Sequence, residues 1–221
     1  MPEGELGPLS GGRHGLSQEQ VAHSQRERLI AGFAQTVVEH GYNDVTIEHV
    51  TKAAHVSRRS FYANFKSKEE AFLAVLDAVS AHLRELIVEA IAPIEDWPGR
   101  VVAALRVVLR FFAAEPDLAR LCTVDSLSAG TTVARRFQEA LREFEPLLAR
   151  GRADRPGPRP LPESTEGSLI GAVASEVSRS VSVGEVERLE ELVPDFAEFL
   201  LLPYVGAAEA RRLARAAASR P

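Results

Sequence analysis

Apolar residues recur three and four positions apart along almost the whole chain, and no stretch alternates polar with apolar residues between turn signals. A chain patterned this way builds helices. No period of about 20 to 50 residues repeats, so the helices do not form a solenoid. The stripe Val21, Leu29, Ile30, Phe33, Val37 and Val38 predicts a first helix. Ser17 with Gln20 forms a capping box at its start, Leu16 with Val21 a hydrophobic staple, and Gly41 its stop. Thr46 caps a short second helix carrying Ile47, Val50, Ala53 and Ala54, and Ser57 caps a third. Ser67 and Glu70 box the start of a fourth, whose apolar positions run from Phe72, Leu73, Leu76 and Val79 toward Leu83, Leu86 and Ile87.

Pro93 ends that run, and Pro98 and Pro116 bracket "GRVVAALRVVLRFFAAE", apolar around most of its circumference and therefore expected to be buried. Helical patterns follow over Leu118 to Leu127 and Val133 to Leu148. The segment 151–164, "GRADRPGPRPLPES", reads as an exposed loop because Pro and Gly interrupt any regular backbone. Two last helices are expected beyond it. One runs from Glu166 to about Ser182, the other from about Glu185 to Leu202 with a kink at Pro194. The expected organisation is all-α. Residues 1–15 form a flexible N-terminal arm, 16–66 a three-helix unit, and 67–221 a larger helical bundle.

Charge is distributed unevenly. The chain carries a formal net charge of −5, yet Thr51 to Lys68 holds Lys52, Arg58, Arg59, Lys66 and Lys68 with no acid, so everything else sums to −10. A localised anion-binding face follows. Two short helices around a tight turn, with Ile47, Val50, Ala54, Val56, Phe61 and Phe65 for a small core, match a helix-turn-helix whose second helix enters a major groove. Arg58 and Arg59 open that helix, where a guanidinium can fork onto guanine, and Ser60 can reach a base edge or a phosphate. The positive ends of the second and fourth helices, at Thr46 and at Ser67 and Lys68, suit phosphate oxygens, and Tyr62, Asn64 and Lys68 can donate to the backbone beside the groove. Arg13 and His14 in the arm can reach a minor groove.

The stretch "GYNDVTIEHVTKAAHVSRRSFYANFKSKEEAF", Gly41 to Phe72, resembles the DNA-binding signature of the TetR (tetracycline-repressor-like) family. Gly41, Tyr42, Thr46, Ile47, Val50, Ala53, Ala54, Val56, Ser57, Phe61, Tyr62, Phe65, Lys68, Glu69 and Phe72 occupy the expected places. The resemblance implies an all-helical homodimer with an N-terminal helix-turn-helix domain and a C-terminal effector-binding and dimerisation domain. By position, it also implies DNA contacts at Thr46, Ser57, Arg58, Arg59, Ser60, Tyr62, Asn64 and Lys68. The family often has a small residue where Arg59 stands and histidine where Asn64 stands, so no relative's operator preference carries over. The ending Leu200 to Ala210 also resembles many members.

Such a protein is expected to be a ligand-responsive repressor on a palindromic operator of double-stranded DNA, paired through its last two helices. Phe111, Phe112, Leu121, Phe137, Leu141 and Phe144 supply candidate walls for a small apolar or aromatic effector, though most of them are expected to be core. Glu176 places a carboxylate on the stripe of Leu169 and Val173, where it can anchor a polar or cationic effector, although a pair with Arg179 or exposure at the bundle edge is the favoured reading. A constitutive DNA-binding dimer without small-molecule control is the rival reading. An enzyme acting on a small apolar substrate is a remote one, since no catalytic ordering or nucleotide-binding fingerprint is present.

The six histidines show no metal-ligand spacing, and neither metal nor cofactor is expected. The single Cys122 is read as a buried hydrophobe and points to no oxidising compartment. A cytoplasmic protein without membrane contact is expected, because the N-terminus lacks a signal-peptide pattern and no apolar run reaches about 18 residues.

Overall fold

The computed structural model describes residues 18–153 and 160–218, and no strand occurs among them. The expected arm at 1–15, with Arg13 and His14, lies outside these residues. So do Leu16 and Ser17, on which the expected cap and staple at the start of α1 depend.

Three helices build the N-terminal unit: α1 (Gln18–His40), α2 (Ile47–Ala53) and α3 (Arg58–Asn64). Gly41, at φ +77°, takes the left-handed turn that stops α1. Its residues Leu29, Phe33 and Val37 are fully buried, and they close over Val50, Ala54, Phe61 and Phe65 from the other two helices. Between α2 and α3 the chain turns through His55 at φ 52°, a left-handed position that few side-chain-bearing residues adopt. The two short helices are held by their neighbours rather than by their own length, since seven residues are too few for a helix to stand alone.

α4 (Lys68–Ile91) is 24 residues long and belongs to both parts of the molecule. Its first turns put Phe72 against the rings of Phe33 and Tyr42, at centroid distances of 5.7 and 5.3 Å. Its later turns face α5 (Trp97–Ala114) and α8 (Thr131–Arg142). Asp96 caps α5 through the Gly99 amide, which places Pro98 in the first turn where no amide is needed.

The segments expected as single helices at 118–127 and 133–148 are each broken. α6 (Pro116–Arg120) passes into a π-helical turn, Leu121–Asp125, and then α7 (Ser126–Ser128). α8 stops at Arg142, and α9 (Glu145–Ala149) follows with Pro146 in its first turn. Then come a 3-10 turn (Arg150–Arg152), α10 (Thr165–Ser182), a second 3-10 turn (Val186–Leu192), α11 (Val193–Val205) and α12 (Ala207–Ala218). Pro194 sits in the first turn of α11, where the expected kink becomes a junction with the 3-10 turn. α12 was not expected from the sequence, so the pair foreseen as the last two helices, α10 and α11, is followed by a third that packs along α11.

The loop expected at 151–164 is not exposed throughout. Gly151 is buried and Arg152 half-buried; residues 154–159 lie outside the described set. Arg152 donates to the carbonyls of Leu161 (2.9 Å) and Pro162 (2.7 Å) and holds Glu166 at the start of α10. Gly151 lies flat on an indole, for a Cβ there would come within 2.3 Å of Trp97. Trp97 is itself fixed by its Nε1 donating to the Leu147 carbonyl at 2.6 Å and by an edge contact with Tyr204. Gly151→Ala is therefore expected to cost about 1–3 kcal/mol through forced displacement of the indole. Chemical denaturation of the two proteins measures it, with Trp97 as the only tryptophan reporting the change in its own surroundings.

Candidate nucleic-acid interface and internal cavity

The α2–α3 unit is capped at both entrances. Thr46 Oγ1 accepts the His49 amide at 3.2 Å while His49 Nδ1 accepts the Thr46 amide at 3.5 Å, so a histidine completes the box that Glu or Gln usually closes. Ser57 Oγ accepts the Ser60 amide at 3.0 Å and meets the Ser60 hydroxyl at 3.0 Å. These caps fix where α3 begins, and with it the direction of Arg58 and Arg59. Both arginines are exposed, neither has an ion-pair partner among the described residues, and the first turn of α3 contains no acid. Tyr62 is exposed beside them, standing edge-on to the buried ring of Phe61. The surface so formed is cationic and backed by the buried Phe61.

Two of the residues singled out from sequence are engaged inside the chain. Lys68 Nζ donates to the carbonyls of Tyr42 (2.7 Å), Asn43 (3.3 Å) and Val45 (3.1 Å) and lies over the Tyr42 ring. All three of its protons are used, and burial pulls the ammonium below the usual lysine range against the opposing pull of Asp44. Its side chain ties the 42–45 loop to α4 and is not free for a phosphate. Asn64 Nδ2 donates to the Ser60 carbonyl at 2.9 Å, leaving its oxygen and second amide proton. The start of α4 also carries Glu69 and Glu70, and Glu70 accepts the Lys66 amide at 2.6 Å, so acids already serve that helix terminus.

Arg26 was not singled out from sequence. From α1 it places its guanidinium 4.5 Å from the Phe65 ring centroid and donates to the Asn64 carbonyl at 3.2 Å. It brings a further exposed cation to the end of α3. These contacts gave no sequence signal, because the nearer partner, Asn64, is already 38 residues away along the chain.

A cavity of about 360 Å³ opens in the C-terminal part between α4, α5, α8, α9 and α10. Phe112, Phe137, Leu141 and Phe144 line it as expected, while Phe111, Leu121 and Glu176 do not. Phe111 turns to the ring of His82, Leu121 is packed in the core, and Glu176 pairs with Arg179 at the helix surface. The residues missed are those of α4: Leu76, Val79, Leu83 and Ile87 make one wall. Cys122 and Thr123, from the π-helical turn, contribute to another. Burial pushes the Cys122 thiol up to about 12, which keeps it protonated and unreactive at neutral pH. Among the described residues no three His, Cys, Asp or Glu side chains gather as a metal site, and no helix is long and apolar enough to cross a membrane.

Residues 29–75 match the family model described as bacterial regulatory proteins, tetR family. Over most of its length the chain is similar in fold to several solved structures. The fatty acid degradation regulator FadR from Bacillus halodurans matches at 20% identity over 79% of this chain and 97% of that one, with a TM-score of 0.71. FadR from Bacillus subtilis, solved in complex with stearoyl-CoA, matches at 17% identity over 79% and 96%, with a TM-score of 0.71. TylP, a tetR regulator from Streptomyces fradiae, matches at 22% identity over 86% and 91%, with a TM-score of 0.66.

Proposed function

We infer from a tetR-family domain at residues 29–75, set in the fold of those regulators, that the chain is a ligand-responsive repressor binding a palindromic operator as a homodimer. The observation that carries this is the exposed, acid-free first turn of α3, with Arg58 and Arg59 unpaired among the described residues and backed by the caps at Thr46 and Ser57. Arg58, Arg59 and Ser60 face the bases. Thr46, Ser57, Tyr62 and Asn64, with Arg26 added, set the register on phosphates. Lys68 acts by holding the 42–45 loop in place.

α10 and α11 supply the dimer contact. The outward side of α10 carries Gly167, Ser168, Gly171, Ala172 and Ser175, which let a partner helix approach closely, and α11 presents Phe199 and Leu202 beside it, 41% and 42% exposed. Two recognition helices one DNA turn apart, about 34–36 Å, then meet adjacent major grooves. The cavity takes the effector, and α4 is the lever, since one helix both lines the cavity and packs Phe72 into the DNA-binding unit. An effector that prefers the wider-set dimer shifts the population away from DNA. The site of action is then the cytoplasm.

Footprinting of the fragment upstream of the protein's own gene, with sedimentation of the free protein, tests this. A protected palindrome with two half-sites one turn apart, and a dimer in solution, are expected. A monomer that leaves the fragment unprotected at low salt contradicts the reading. A footprint that no small molecule releases supports a constitutive binder instead.

A further inference from the structure

Five wall positions of the cavity, Leu76, Val79, Leu83, Ile87 and Ile91, follow one another along α4. At 1.5 Å per residue they span about 22 Å. A volume of about 360 Å³ that touches five successive positions along one helix is long rather than round, the shape an extended hydrocarbon chain fills. The inner wall offers almost nothing polar: Thr123 donates its hydroxyl to the Ala119 carbonyl at 2.7 Å, and Ser80 is the other hydroxyl. A charge carried inside would be stripped of water with no counter-ion.

The ionisable members of the wall other than Cys122 are Arg84, Glu143 and Arg150, and all three are exposed. Together with exposed Val88 and Pro146 they mark the mouth, between α4 and the α8–α9 segment. Arg150 has no ion-pair partner among the described residues. Arg84 pairs with Glu143, and Glu143 also lies 3.7 Å from Arg136, which in turn binds Asp77 at 2.6 Å. Arg84 can therefore turn to another anion without stranding Glu143, which keeps Arg136. Pairs this exposed hold weakly and exchange at little cost.

We propose that the effector is a single-tailed amphiphile whose hydrocarbon chain lies along α4 and whose anionic head group is held at the mouth by Arg84 and Arg150. The proposal rests on the reading of the cavity as the effector site. It adds the chemical class: a linear apolar tail and a negative head, either a free carboxylate or the phosphates of an acyl carrier. Binding would exchange the Arg84–Glu143 link between α4 and α8 for one between α4 and the ligand, altering how α4 is held at its middle.

Calorimetric titration of the full chain with four probes tests this: dodecanoate, dodecanoyl-coenzyme A, dodecanol and dodecyltrimethylammonium. One or both anionic probes are expected to bind at least tenfold more tightly than dodecanol, and the cation more weakly than dodecanol. Preference for dodecanoate identifies a free acid, and preference for the thioester a phosphate-bearing carrier. The double variant R84Q/R150Q is expected to bring the preferred anion down to the affinity of dodecanol for the wild type. Ala174→Phe, which directs a ring into the cavity, is expected to weaken every probe. Equal binding of dodecanol and both anions, or a preference that survives R84Q/R150Q, overturns the head-group assignment while leaving the cavity as the effector site. Binding by no probe, or binding indifferent to Ala174→Phe, overturns the cavity reading and the proposal with it.

Discussion

Glu166→Ala is expected to destabilise the chain by about 2–4 kcal/mol, below the range for breaking a fully buried charge pair because Arg152 keeps about 32% of its side chain in solvent. Glu166 is 4% exposed. Its Oε1 accepts from Arg152 Nε and from the Tyr204 hydroxyl, both at 2.8 Å, and its Oε2 accepts from Arg152 at 2.5 Å. Truncation strands two donors at once, one of them the hydroxyl of a residue 1% exposed. It also frees the 3-10 turn at 150–152 that Arg152 pins to α10. Tyr204→Phe removes one bond and leaves the ion pair, so a loss of only about 1 kcal/mol is expected. An exposed pair such as Arg188–Glu191 is worth well under that.

The same site makes a pH prediction. Burial by itself raises the Glu166 carboxyl, but the hydrogen bonds from Arg152 and Tyr204 outweigh it and hold the group below its usual range. A carboxyl depressed in the folded state contributes stability that is present above its unfolded value, about 4.3, and is lost as pH falls through the folded one. Denaturation of the wild type should therefore show a loss below about pH 4 that Glu166→Ala lacks. Equal stability of the two proteins at pH 7 would show that the clasp contributes nothing.

How far the sequence carried can be judged at particular residues. Thr46, Ser57 and Ser67 announce three helix starts because capping is local chemistry: the acceptor and the amide it serves are three residues apart. The basic cluster, likewise, is visible because its members are contiguous. α12 was missed since its buried face is made of Ala210, Ala214 and Ala217, which carry too little apolar surface to stand out as a stripe. Glu166 looked like an ordinary first-turn acid, and its partners lie 14 and 38 residues away. The cavity wall on α4 reads as core in any periodicity argument, for a residue lining an empty space and one touching a neighbour have the same spacing. Phe111 and Leu121 were misplaced for that reason, while Glu176 fell to the i,i+3 pairing with Arg179 that competed for it.

Arg58→Ala and Arg59→Ala should each weaken operator binding by about 1–3 kcal/mol per lost base contact. In a homodimer on a palindrome each substitution acts at both half-sites, so the measured loss should reach about 2–6 kcal/mol, a 30-fold to more than 10⁴-fold rise in Kd. Both side chains extend from a capped first turn with no acid near enough to hold them, so nothing in the chain would replace the contact. Folding should be untouched, because the core of this unit rests on Phe61 and Phe65 behind them.

Lys66→Ala provides the contrast. Lys66 is exposed just past the end of α3, away from the first turn that carries Arg58 and Arg59, where a phosphate is the expected partner rather than a base edge. Its loss should lower affinity for all sequences alike and flatten the dependence of log K on log salt by about one phosphate contact per half-site. Arginines that read bases should instead relax discrimination at particular operator positions while changing the salt slope little. Titration of operator variants at several salt concentrations separates the two behaviours. Wild-type affinity in both arginine variants would remove α3 from the groove altogether.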